Sequence, residues 1–149
     1  MRAVVQRVKS SRVLVGERTI GSIGKGLNVL LAVKNDDEES DARFLAKKIM
    51  QLRVFPDYEG KMNLSIQDIN GELLVISQFT LYGDCKKGNR PSYSKSAPAE
   101  KAKKLYEYFI EHIRMYYKNK IECGEFQADM NVEIQNEGPV TLIVESRKA

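Results

Sequence analysis

The polar run Ser77-Gln78-Phe79-Thr80 contains the side chains of this sequence best suited to catalysis. It follows the apolar residues 73–76, and the whole stretch 73–80 predicts a buried strand that ends on polar groups. Alternate strand residues share a face, which would put Gln78 and Thr80 on one side and Ser77 and Phe79 on the other. If the strand frays here, free backbone N–H groups and the Gln78 amide can stabilise the oxyanion of an acyl-transfer reaction. An ordinary strand end with hydrogen-bonded Ser and Thr is the alternative interpretation.

The second candidate feature is the dipeptide Gly138-Pro139. Strand-like residues 131–134 and 140–144 flank it, so the pattern predicts a hairpin turn over 135–139. A bond preceding proline is the kind that adopts the cis form at low cost. The dipeptide is therefore either a simple turn or a rigid backbone edge that tests the shape of a small substrate.

Other catalytic chemistries have little support in the sequence. The only histidine, His112, falls within a predicted helix, and there is no Gly-x-Ser-x-Gly motif. Cys85 lies in a basic loop, where a lowered thiol pKa is conceivable, but no second histidine is available to serve as its base. Cys85 and Cys123 form neither a disulfide framework nor a four-ligand zinc pattern. We expect no cofactor and no metal.

The overall composition indicates an ordinary globular domain. The 149 residues predict one domain spanning 1–149, with 42% hydrophobic and 30% charged residues. No apolar run approaches the roughly 20 residues that cross a bilayer, and residues 1–8 lack the features of a signal peptide. Two cysteines suit a reducing compartment, so we expect a cytoplasmic protein with no membrane partner. The net charge of +4, densest over residues 86–90, permits an RNA partner without requiring one.

The periodicity of apolar residues predicts several strands and two helices. The predicted strands and helices, in chain order, are a strand at 2–8, a hairpin at 13–20, a strand at 27–33, a helix after the acidic residues 36–39, a strand after the loop 57–60, the strand 73–80, a helix from Pro98 and the terminal pair of strands. Since strands and helices do not alternate as in βαβ units, we predict an α+β fold with mostly antiparallel, barrel-like β-sheets and two main helices.

Several short motifs, in this order and spacing, resemble the D-aminoacyl-tRNA deacylase family essentially from end to end. Besides the two features above, the motifs are residues 1–8 (MRAVVQRV), 52–55 (LRVF), 60–65 (GKMNLS), 88–92 (GNRPS) and 128–130 (ADM). Each motif is weak alone, and their combination carries the resemblance.

The resemblance implies a homodimer that hydrolyses the ester joining a D-amino acid to the 3′-terminal adenosine of tRNA. Glycyl-tRNA, including glycine mischarged on tRNA(Ala), is an implied second substrate. The implied catalytic residues are Ser77, Gln78, Phe79 and Thr80. The implied substrate-binding residues are Gly138, Pro139, Ala97, Phe126, Met130 and Arg7. The Gly-Pro bond would be cis, would be oriented by Arg7, and would enter the pocket of the partner subunit to exclude L-amino acids.

The resemblance leaves the mechanism open. Thr80 is a nucleophile in one scheme, whereas in the other the 2′-hydroxyl of the terminal adenosine assists and the protein supplies positioning and oxyanion donors. The sequence favours the second scheme, because Thr80 has no visible base. Gln127 also stands where the family usually has glycine, so a positive φ there would strain the backbone.

Three further interpretations compete with chiral proofreading. A non-catalytic RNA-binding module is disfavoured because aromatic residues make up only 8% and the tyrosines cluster over 106–117. A structural dimer would use Gly138-Pro139 only as an assembly turn. A trans Gly-Pro bond would relax the chiral rejection.

Overall fold

The computed structural model describes residues 1–147 of the chain. Its strands are β1 (Arg2–Val15), β2 (Arg18–Ile23), β3 (Gly26–Ala32), β4 (Phe55–Pro56), β5 (Met62–Leu64), β6 (Glu72–Ser77), β7 (Ile121–Cys123) and β8 (Met130–Glu145). Its helices are α1 (Glu39–Gln51) and α2 (Ala99–Arg114), and a 3₁₀ turn spans Phe79–Tyr82.

The long strand β1 organises the main sheet. It pairs antiparallel with β2, β3 and β8, and the sheet runs in the order β2-β1-β3-β6-β7 with β8 added on β1. The predicted α+β class with a mostly antiparallel, barrel-like sheet and two helices is confirmed. The expected absence of βαβ units is wrong, because β6 pairs in parallel with both β3 and β7. Parallel neighbours need long crossovers, and these contain α1 and α2 together with loops that hide the alternation in the sequence.

Both helices bury one apolar face against the sheet and against each other. In α1, the Glu38 backbone N–H donates to the Asp41 carboxylate at 2.8 Å, as one half of a capping box that starts the helix. The buried apolar side chains of the two helices are Ala42, Leu45, Ala46, Ile49 and Met50 from α1 and Ala102, Leu105, Tyr106, Phe109, Ile110 and Ile113 from α2. No helix within residues 1–147 is long and apolar enough to cross a membrane.

Strand β6, which lies between β3 and β7, contributes to apolar clusters on both sides of the sheet. Leu73 and Val75 belong to the main core under the helices, whereas Leu74 and Ile76 belong to a smaller cluster on the other face. This division follows from the alternation of side chains along a strand. Three partly buried residues of β8 pack against the smaller cluster: Met130, Val132 and Ile134.

The Gly-Pro dipeptide lies on a bulge within β8, so the predicted hairpin turn over 135–139 is wrong. Asn136 pairs with Val8 and Thr141 pairs with Gln6, which leaves residues 137–140 opposite Arg7 alone. Both halves of β8 therefore pair with β1 and not with each other. Glycine and proline mark bulges as well as turns, so the sequence pattern does not separate the two.

Candidate active site

The chain turns sharply where β6 ends, so the prediction of a strand continuing to Thr80 is wrong. The Gln78 N–H still donates to the Leu31 carbonyl at 2.8 Å, but the next backbone bond runs from Leu81 N to Gln78 O at 3.2 Å. A 3₁₀ turn thus replaces the strand pairing. The alternating-face assignment of residues 77–80 fails for the same reason.

The turn leaves backbone donors at its start. The N–H groups of Phe79 and Thr80 precede the first hydrogen bond of the turn, so they have no partner within it. Both residues are exposed. These two N–H groups are available to an anionic oxygen, as predicted for this position, but a turn frees them and not a frayed strand.

An apolar cavity of about 610 Å³ lies beside this turn and gathers most of the predicted site. Its lining includes Ser77, Gln78, Phe79, Ala97, Phe126 and Met130. The cavity lies between the end of β6, the start of α2 and the residues before β8. A mostly apolar cavity with a few polar groups, here Ser77, Gln78, Gln127 and Asp129, is typical of a small-molecule site.

Thr80 is exposed and is not one of the residues that line this cavity. Its hydroxyl oxygen accepts a hydrogen bond of 2.5 Å from Gln78 Nε2. Thr80 is therefore linked to the cavity by its hydrogen bond to Gln78, which lines it.

The far wall of the cavity rests on a buried tyrosine, Tyr106, which was not among the predicted site residues. The Phe126 and Tyr106 rings pack with their centroids 5.9 Å apart, and the Tyr106 hydroxyl donates to the Val75 carbonyl at 2.9 Å. Burial raises the pKa of Tyr106 well above its usual value, so it stays a neutral donor. Its position on the apolar face of α2 predicts that it is buried, but does not indicate a role in a site. Beside Phe126, Gln127 has a φ of 67°, which is the strained conformation expected for that position.

Gly138 and Pro139 are exposed and do not line the apolar cavity of their own chain. The peptide bond between them is cis, and Gly138 has a φ of 122°. A Cβ on Gly138 would lie 3.0 Å from Arg7 Nη2 and 2.9 Å from Val140 Cγ2. Only glycine fits this position without a shift of its neighbours.

Arg7 connects the bulge to the body of the domain. Its Nη1 donates to the Val54 carbonyl at 2.7 Å and its Nε donates to the Glu137 carbonyl at 3.3 Å. The guanidinium also lies 3.7 Å from the Glu137 carboxylate, and the Arg7 side chain is only 11% exposed. The sequence-predicted Arg7 is therefore in contact with the bulge, but it lies outside the apolar cavity.

A second, larger cavity of about 750 Å³ is lined mainly by charged residues. It includes Tyr82 and Gly83, at the end of the 3₁₀ turn, but none of residues 77–80. We therefore assign the candidate chemistry to the apolar cavity. Cys85 lines the charged cavity, whereas His112 lies on α2 between the rings of Tyr108 and Tyr116, so a Cys-His pair does not form.

Comparison with known proteins gives consistent matches over nearly the whole chain. Residues 4–145 match the family model described as D-Tyr-tRNA(Tyr) deacylase. Relatives named D-aminoacyl-tRNA deacylase from Thermosipho melanesiensis and Thermotoga petrophila are 61% and 53% identical over 148 residues, which is 99% of this chain and 99% of each relative.

Two solved structures share the fold. The c-Myc DNA unwinding element binding protein superimposes with a TM-score of 0.95 at 42% identity, covering 99% of this chain and 100% of that one. A probable eukaryotic D-amino acid tRNA deacylase gives 0.83 at 17% identity, covering 97% and 98% of the two chains, and supports the fold alone. Fold, cavity and relatives together define a hydrolase of the deacylase class. The chain belongs to the D-Tyr-tRNA(Tyr) deacylase family.

Proposed function

We propose that this chain hydrolyses the ester bond between a D-amino acid and the 3′-terminal adenosine of tRNA, releasing the free amino acid and the tRNA. The observation that carries the proposal is the apolar cavity with Ser77, Gln78 and Phe79 on one wall and two backbone N–H donors beside it. The deacylase relatives support the same reaction. A tRNA substrate favours a cytoplasmic location for the protein.

In this proposal the protein acts mainly by positioning the ester and stabilising its transition state. Water adds to the ester carbonyl carbon, the bond to the 3′ oxygen breaks, and that oxygen takes up a proton. The N–H groups of Phe79 and Thr80 donate to the carbonyl oxygen as it becomes negative. The adenosine 2′-hydroxyl assists the attack, and Thr80 holds Gln78 in place. The alternative, with Thr80 as nucleophile, is less compatible with a hydroxyl that does not line the cavity and is hydrogen-bonded to an amide.

The chiral selection in this proposal comes from a second copy of the chain. The Gly138-Pro139 bulge is exposed, and Leu142 and Ile143 beyond it are 37% and 72% exposed. Exposed apolar side chains next to the Gly138-Pro139 wedge favour a homodimer in which the wedge enters the apolar cavity of the other subunit. Fixed backbone there rejects an L side chain by steric clash. Glycine, which has no side chain, is accepted, so glycyl-tRNA including glycyl-tRNA(Ala) is a second substrate.

The first test is deacylation of matched D- and L-tyrosyl-tRNA by the purified protein. Hydrolysis of the D form alone is expected. Release of both forms intact would make the chain a binding module. Equal hydrolysis of both would contradict chiral rejection and indicate a relaxed cavity near Gln127.

The second test is the mass of the protein in solution by light scattering, where we expect twice the mass of one chain. Replacement of the exposed Ile143 by lysine should shift the mass toward that of one chain and reduce deacylation at the same dilution. A monomer with full D-selective activity would contradict the cross-subunit wedge. Gly138 variants that alter assembly but never chirality would favour the assembly-turn interpretation.

A further inference from the structure

Two exposed aromatic rings form a pair at the edge of the apolar cavity. The centroids of Phe79 and Tyr93 are 5.2 Å apart, and the ring planes meet at 66°. Phe79 is 55% exposed and Tyr93 is 41% exposed. Neither ring is buried in the hydrophobic core, so each has an aromatic surface available to a ligand.

This pair lies between the two large cavities. Phe79 lines the apolar cavity, and the Tyr93 ring packs on Gly83, which lines the charged cavity. A Cβ on Gly83 would lie only 2.9 Å from Tyr93 Cε1, so the close approach of the ring requires glycine there. A ligand that extends from the apolar cavity to the charged cavity would pass across the two rings.

The loop 83–96 holds the pair in a fixed position. Asp84 and Ser92 exchange two backbone hydrogen bonds of 2.7 and 2.9 Å at the base of the loop. The Ser96 hydroxyl donates to the Phe79 carbonyl at 3.3 Å. The rings are thus organised before any ligand arrives, which lowers the entropic cost of binding.

The charged cavity has an excess of unpaired positive charge. Lys34, Lys86 and Lys95 line it, and within residues 1–147 none of these lysines has a carboxylate within 4.0 Å. Most of the carboxylates in the cavity are already paired: Asp36 and Asp37 with Arg147, and Glu145 with Arg2. Asp84 is the exception, with no cation within 4.0 Å in the described part of the chain. The balance favours an anionic ligand.

We propose that Phe79, Tyr93, Lys86 and Lys95 form the binding surface for the single-stranded 3′ end of the tRNA. This inference rests on the proposed function, in which the aminoacyl group and the terminal adenosine occupy the apolar cavity. The cytidine that precedes the adenosine stacks on the Phe79–Tyr93 pair, and its phosphates lie near Lys86 and Lys95. Aromatic rings beside a cationic groove are the usual means of holding single-stranded nucleic acid without reading its sequence.

Binding of two non-hydrolysable analogues tests the surface directly. One is adenosine carrying D-tyrosine through a 3′ amide, and the other is the trinucleotide CCA with the same 3′ group. The protein should bind the trinucleotide more tightly. Tyr93→Leu should reduce that advantage by about fivefold or more, since one stacked base is lost, whereas Tyr93→Phe should retain it. Affinity for the mononucleotide should stay unchanged in both variants.

The lysines are tested by the salt dependence of trinucleotide binding. Lys86→Gln and Lys95→Gln should each flatten the plot of log affinity against log salt by about 0.7, the value for one phosphate contact on a single strand. Lys47→Gln is the matched control, because Lys47 is an exposed lysine on α1 that lines neither of the two large cavities. It should leave the slope unchanged.

Equal affinity of the unaltered protein for the two analogues would overturn the inference. So would an equal loss for both analogues in Tyr93→Leu, because that result would mean that the ring only supports the cavity. Binding of a CCA trinucleotide that carries no amino acid tests the surface separately from catalysis. Tyr93-dependent binding of CCA by a protein that fails to hydrolyse D-tyrosyl-tRNA would reject the proposed function and keep the surface.

Discussion

Gln78 Nε2 lies 2.5 Å from the Thr80 hydroxyl oxygen, and of these two residues only Gln78 lines the apolar cavity. The two side chains meet within the 3₁₀ turn that follows β6. The contact fixes the orientation of the Gln78 amide at the cavity wall. Thr80 is thereby given a role that does not require its hydroxyl to attack the substrate.

Replacement of Thr80 by valine should therefore slow deacylation without abolishing it. The loss of one hydrogen bond, worth about 1 kcal/mol, predicts a decrease of about fivefold to tenfold in kcat with D-tyrosyl-tRNA. Thr80→Ser retains the acceptor and should remain close to the unaltered enzyme. Single-turnover kinetics measures the rate, and mass spectrometry searches for an acylated protein. A D-tyrosyl group trapped on Thr80 would make it the nucleophile.

Gln127 is predicted to lower the stability of the domain. Its φ of 67° lies in the left-handed region, which costs a non-glycine residue about 1 kcal/mol. Gln127→Gly should raise Tm by about 3 °C in a thermal scan. Asn70→Gly is the matched control, because Asn70 has a φ of 51° but asparagine tolerates this region, so a smaller gain is expected. An unchanged or lower Tm for Gln127→Gly would show that other contacts compensate.

Local sequence patterns predicted most elements of this fold, because each is determined by nearby residues. The acidic residues before α1 and the apolar spacing of α2 identify both helices, and the turn after Val15 identifies the first hairpin. Strand partners depend on distant residues, and the pattern gave no sign that β6 would pair in parallel with β3 and β7. The same limit explains the mistaken hairpin at 135–139, since a bulge and a turn use the same residue types.

The candidate site, like the fold, was predicted from the sequence only in part. The cavity contains Gln78 and Phe126 as expected, but the 3₁₀ turn at Phe79 depends on a hydrogen bond from Leu81 to Gln78, which no apolar period encodes. Tyr106 was missed because a tyrosine on a buried helix face is indistinguishable in sequence from an ordinary core residue. The predicted roles of the substrate-binding residues remain predictions.

Asp41 should make stability depend on pH in the acidic range. Burial alone would raise the pKa of this carboxyl, but hydrogen bonds from the Glu38 N–H and the Ser146 hydroxyl and the charge of Arg147 outweigh it and lower the pKa. A lowered pKa in the folded state stabilises the protein fully above the unfolded value of about 3.9. The contribution is lost as the pH falls through the folded pKa.

The variant Asp41→Asn isolates this contribution. At pH 7 it should lower the free energy of unfolding in urea by about 1 kcal/mol, as expected for loss of a capping carboxylate. The difference from the unaltered protein should shrink as the pH falls below 4. Glu39→Gln, which changes an exposed acid in the same first turn, serves as the control. If the difference in the free energy of unfolding persists at low pH, the effect comes from the altered packing of the side chain and not from its charge.

Arg7 should control chiral selection through its contact with the bulge. It donates to the Val54 and Glu137 carbonyls at once, and lysine cannot reproduce this fork while keeping the charge. Arg7→Lys should therefore loosen Gly138-Pro139 and raise hydrolysis of L-tyrosyl-tRNA relative to the D form by about tenfold, since hydrogen bonds from charged groups are worth more than neutral ones. Hydrolysis of the D form should change little, because Arg7 does not line the apolar cavity.

Arg12→Lys is a closely matched control: Arg12 also lies on β1 and pairs with a glutamate of β8, Glu133 at 2.6 Å, but its side chain is 50% exposed. If Arg7→Lys folds normally, cleaves the D form and still rejects the L form completely, the guanidinium has no part in selection, and the close fit of Gly138 against Val140 must hold the bulge unaided.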